Sequence, residues 1–135
     1  MVSVNQIYSY VEAELTASRP DLYCASRLEP IPPRFPSVEI VEINHPHISR
    51  TLPLTFGSHD TVSLRRDFEA HVFSNLKNGA LTQARDIMED VETAFREMYF
   101  VETYCGQTNN ADPQVIHLVA RFTRNIGDGD ALTVS

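Results

Sequence analysis

VSLRRDFEAHVFSNLKNGALTQARDIMEDVETAFREMY, residues 62–99, changes its period part-way along. From 62 to 74 the apolar Phe68, Ala70 and Val72 alternate with Glu69, His71 and Phe73, the two-residue repeat of a strand with two different faces. Asn78-Gly79 then turns the chain. Beyond it Ala80, Leu81, Ala84, Ile87, Met88, Val91, Ala94, Phe95 and Met98 recur at helical spacing to about Tyr99. Arg85, Asp86, Glu89, Asp90, Glu92, Arg96 and Glu97 occupy the other side. A long strand feeding a long amphipathic helix is the centre of the fold.

Working outward, Ser3-Val4-Asn5-Gln6 has capping-box spacing. Val4, Ile7, Tyr8, Val11 and Leu15 continue it as one stripe, predicting a helix over 3–18 that Pro20 stops. Residues 22–28 and 37–43 read as strands. Between them EPIPPRFP (29–36) holds four prolines, which cannot donate into a sheet ladder, so it is read as an extended connector. Residues 100–105 and 115–126 read as two more strands around the turn formers GQTNNADPQ. Residues 44–61 show no clean period and form an arm, and 127–135 a loose tail.

The order α-β-β-β-α-β-β predicts a single α+β domain over 1–135, with a mainly antiparallel sheet of four to five strands and two helices. The second helix is expected on the face shown by Phe68, Ala70, Val72, Ile116, Leu118, Ala120 and Phe122. The opposite face, with Val41, Ile43, His71, Phe73, Val115, His117, Val119 and Arg121, is half apolar. The first helix, through Ile7, Tyr8 and Val11, is expected to cover most of it; otherwise it is an interface.

Composition narrows the function. At 135 residues the chain can bury a core without metal or disulfides. Its 11 basic against 18 acidic side chains give −7, which argues against sequence-independent nucleic-acid binding. No apolar run approaches a membrane span, and the N-terminus lacks the pattern of a secretory signal. Cys24 and Cys105 belong to no paired motif and fit a reducing cytoplasm.

Chemistry is sparsely signalled. His45-Pro46-His47, with His59 and Asp60, offers zinc-ligating types in one arm, but an HxH pattern is too common to carry a metal site. His71 and His117 share a face, as a proton-transfer pair or as ordinary packing histidines. Asp86, Glu89 and Asp90 read as a solvated helix face. Nucleophile-elbow and phosphate-loop motifs are absent. No catalytic, metal or cofactor-binding residue is assigned, and the chain is read as a protein that is not an enzyme.

IPPRFPSVEIVEIN (31–44), DFEAHVFSNLKNGALTQARDIM (67–88) and VIHLVARFT (115–123) together resemble the small siphophage proteins known as minor capsid proteins or tail terminators. The resemblance spans roughly 4–127 and rests on pattern and order. It implies an α+β domain that forms a homo-oligomeric ring, a hexamer, on the tail-tube protein. That ring joins the tube to the head connector, with DNA passing through the lumen. It also implies assembly in the host cytoplasm, a place in the tail-neck region of the virion and no membrane partner. A head-completion or neck adaptor is the near alternative; a metal-binding protein using His45, His47 and His59 is the distant one. Six copies at −7 each total −42, a charge that lets a polyanion slide past. The histidine-rich arm departs from the family pattern. Candidate interface residues are His45, His47, Arg50, Leu52, Phe56, Arg65, Phe73, Arg121 and Arg124. The arm and the tail are expected to be mobile in the monomer and to order in the ring.

Overall fold

The computed structural model describes residues 3–29, 31–43, 63–127 and 130–133. Among these are two helices and five strands in one sheet. Helix α1 is Val4–Ser18, strands β1, β2 and β3 are Tyr23–Ala25, Ser37–Ile43 and Ser63–Ser74, helix α2 is Ala80–Glu97, and β4 and β5 are Val101–Thr108 and Ile116–Gly127. The sheet order is β1-β2-β3-β5-β4.

Local chemistry sets the element ends. Ser3 accepts from the Gln6 N–H while the Gln6 side chain accepts from the Ser3 N–H, completing the capping box of α1. Gly79 enters α2 at φ 93°, a left-handed conformation that glycine takes without a Cβ penalty. At the far end Tyr99 is left-handed at φ 64°. The Phe100 N–H returns to the Phe95 carbonyl and the Tyr99 N–H to that of Arg96, both at 2.9 Å. Phe100 also packs its ring edge-on against Phe95. This is a Schellman cap with its hydrophobic contact, and it converts helix directly into strand β4.

The core lies between one sheet face and the helices. Phe68, Ala70, Val72, Leu118, Ala120 and Phe122 meet Ala84, Ile87, Met88, Val91 and Phe95 of α2, as the alternation predicts. Phe95 is fully buried and stacks on Phe122 with ring centroids 4.3 Å apart.

Two expectations are corrected. Helix α1 does not cover the second sheet face: Ile7, Val11 and Leu15 join the same core as α2, α1 and α2 are in contact, and Tyr10 donates to Glu97 at 2.8 Å. The stripe of α1 needs an apolar surface, and the flank of α2 supplies it. The sheet is mainly antiparallel as expected, with one parallel pair at its edge: β1 runs parallel to β2, pairing Tyr23 with Ser37 and Ala25 with Glu39. The proline connector carries the chain back to the starting end of the sheet, so β1 and β2 form no hairpin. β1 is moreover shorter than the 22–28 reading. The remaining pairings are antiparallel.

In place of a wholly loose tail, residues 130–133 stay close. The Asp130 carboxylate accepts from the Gly127 N–H, Leu132 packs against the core, and Arg124 donates to the Ala131 and Leu132 carbonyls.

Candidate interaction surface on the open sheet face

With both helices on one side, the alternate side chains of β2, β3 and β5 form a face that neither helix covers. Register decides which of them meet. Phe73 stands opposite His117, His71 opposite Val119, and Glu69 opposite Arg121. Diagonal neighbours then touch: His71 Nδ1 lies 2.8 Å from His117 Nε2, and His71 Nε2 lies 2.7 Å from Glu69 Oε1. Arg121 Nε donates to the other Glu69 oxygen at 2.8 Å. Phe73 stacks on His117 with centroids 4.2 Å apart and is itself only 7% exposed.

The chain Arg121–Glu69–His71–His117 dictates proton positions. Glu69 accepts from the His71 Nε2–H, so neutral His71 presents Nδ1 as the acceptor for a proton on His117 Nε2. Burial, then the neighbouring His71, pulls the His117 imidazole down to about 4 from its usual 6.5. Although burial opposes it, the hydrogen bonds and charges of Arg121 and His71 hold the Glu69 carboxyl below its usual range. Near pH 7 the arrangement therefore holds a carboxylate at Glu69, a guanidinium at Arg121 and a neutral imidazole at His117. Beside it Glu39, 1% exposed, accepts from the Glu29 N–H through Oε1, while Oε2 has no hydrogen-bond partner among the described residues. Burial raises its carboxyl.

A vertical ordering of charge runs along this face. Arg65 pairs with Asp67 at 3.0 Å and Arg121 with Glu69 at 2.8 Å. The arginine side chains are 47% and 56% exposed, the carboxylates 8% and 16%. The anions sit low and the guanidinium groups form the outermost layer. Exposed Val101 and Tyr104 of the edge strand β4 flank them, with the Arg121 guanidinium 5.7 Å from the Tyr104 ring centre. Between these side chains lies a shallow concavity of about 450 Å³, lined by Glu69, His71, Tyr104, Thr108, His117, Val119 and Arg121.

The sequence-derived candidates divide. Arg65, Phe73 and Arg121 share this face, Phe73 as a buried support for His117 and the arginines as its surface. Arg124 points the other way: its guanidinium donates to the carbonyls of Met98, Ala131 and Leu132 and lies over the Tyr99 ring. His45, His47, Arg50, Leu52 and Phe56 lie outside the described residues, as do His59 and the rest of the 44–61 arm. Sequence reasoning placed Glu69, His71, Phe73 and His117 on one face and offered His71 and His117 as a pair, but missed the link from Glu69 through His71 to His117. That link follows from β3–β5 register.

Away from this face, Glu92, Glu102 and Cys105 converge between α2 and β4, with ligand-type atoms within 4.8 Å of one another. Burial, and then a hydrogen bond with Glu92, raise the Glu102 carboxyl to about 7. Burial foremost pushes the Cys24 and Cys105 thiols up to about 11, which leaves both protonated and poor nucleophiles at neutral pH.

No protein-family model and no curated protein matches this chain.

Proposed function

We propose that this chain is a siphophage virion structural protein of the tail-terminator kind, working by association with copies of itself and with tail-tube and head-connector proteins. The observation that carries the reading is the sheet face left uncovered by both helices. It presents Arg65, Arg121 and Tyr104 to solvent over buried carboxylates. Arginine and tyrosine are the side chains that protein interfaces favour. A two-layer α+β domain with one sheet face that neither helix covers, and an exposed edge strand, suits assembly into a ring, where each copy meets two neighbours. The resemblance of residues 31–44, 67–88 and 115–123 to the tail-terminator family supplies the identity of the assembly.

The test is to add purified chain to polymerising tail tubes and examine them by electron microscopy. Tubes capped at one end by a ring, with their growth stopped, are the expected result. A chain that binds portal or connector complexes and ignores tubes would instead mark a neck adaptor.

A further inference from the structure

The two sides of this domain carry opposite charge. Helices α1 and α2 hold seven carboxylates, Glu12, Glu14, Asp86, Glu89, Asp90, Glu92 and Glu97, against two arginines, Arg85 and Arg96. Arg19, just past α1, pairs with Asp90, but Glu14, Asp86, Glu89 and Glu97 remain exposed. The open sheet face has its carboxylates low and its guanidinium groups outermost. Most of the chain's net −7 thus sits on the helical layer and little of it at the tips of the sheet face.

We propose that the open sheet face, through Arg65, Arg121 and Tyr104, docks on the outer surface of α1 and α2 of a second copy, near Asp86 and Glu89. The proposal deepens the ring reading and names the surfaces that mate. Because the two surfaces lie on opposite sides of one domain, each copy engages two neighbours at once in a head-to-tail contact. Such a contact closes into a ring when the rotation per copy allows it. β3 and β5 are 12 residues each, which makes the face about 40 Å long along these two strands. Nucleic acid is the less suitable occupant, because a polyanion brought to the sheet face also meets the acidic remainder of the chain.

Sedimentation velocity of the full chain at low and high salt tests this. The chain should associate, and association should weaken as salt screens the facing charges. Asp86→Arg/Glu89→Arg, at exposed positions that leave the core untouched, should raise the apparent Kd about tenfold or more. Arg65→Glu/Arg121→Glu should do the same. Mixing the two charge-reversed variants should restore association, since an acidic sheet face then meets basic helices. If Arg65→Glu/Arg121→Glu fails to fold by circular dichroism, Arg65→Gln/Arg121→Gln should still weaken association. Ring-sized particles indifferent to every substitution would overturn the proposed surfaces and leave the ring reading standing. Charge-sensitive association that stops at dimers would support the surfaces and sink the ring. A chain that stays monomeric at every concentration would overturn both. Arginine-dependent binding of a DNA duplex without self-association would overturn the proposed partner.

Discussion

His71 and His117 share a hydrogen bond of 2.8 Å although 46 residues separate them, and Glu69 anchors the pair from the far side of His71. One ring is stacked on Phe73 and the other tied to a carboxylate, so the pair is fixed in place.

The pH dependence of folding follows from that. The His117 imidazole titrates near 4 when folded and near its ordinary value when unfolded. Between pH 6.5 and 4 the unfolded chain therefore binds more protons, and this site's contribution to stability falls as pH drops through that window. Urea unfolding of His117→Gln should lose this part of the slope. Imidazole NMR should place the His117 midpoint near 4. A midpoint near 6.5 would mean the ring is not held as described.

Glu102 works in the opposite direction. Its folded carboxyl titrates near 7, against an ordinary 4.5, so its destabilising effect grows as pH rises from 4.5 to 7. The melting temperature of Glu102→Gln, relative to the unaltered chain, should climb through that interval and level off above it. A flat difference would show that the Glu102 carboxyl is not raised.

Phe95→Ala should destabilise the domain by about 3–5 kcal/mol, because a fully buried ring in contact with Phe68, Phe100 and Phe122 leaves a cavity. Glu89→Ala, at an exposed position, should change folding by less than about 0.5 kcal/mol. Chemical denaturation of both variants checks the pair. A loss below about 1 kcal/mol for Phe95→Ala would contradict the packing of α2.

Arg124→Ala should cost about 1–3 kcal/mol, since three backbone carbonyls lose their donor. Hydrogen exchange across 130–133 should accelerate, and lysine should rescue it poorly because an ammonium lacks the planar fork. Unchanged exchange would show that the segment is held by other contacts.

The sequence by itself determined the elements and the sidedness of each. The capping box at Ser3 marked the start of α1, and the alternation through Phe68, Ala70 and Val72 marked the core face of β3. The stripe through Ile87, Val91 and Phe95 marked the buried side of α2. These signals are local, because a side chain's face depends only on its position within its own period. Only the tertiary structure decided that α1 lies beside α2 and that β1 runs parallel to β2. It also decided that His71 reaches His117 and that Arg124 turns inward while Arg65 and Arg121 turn outward. A period fixes which face of an element is apolar but not which of two apolar surfaces it meets, and strand register is set by pairs distant in the chain.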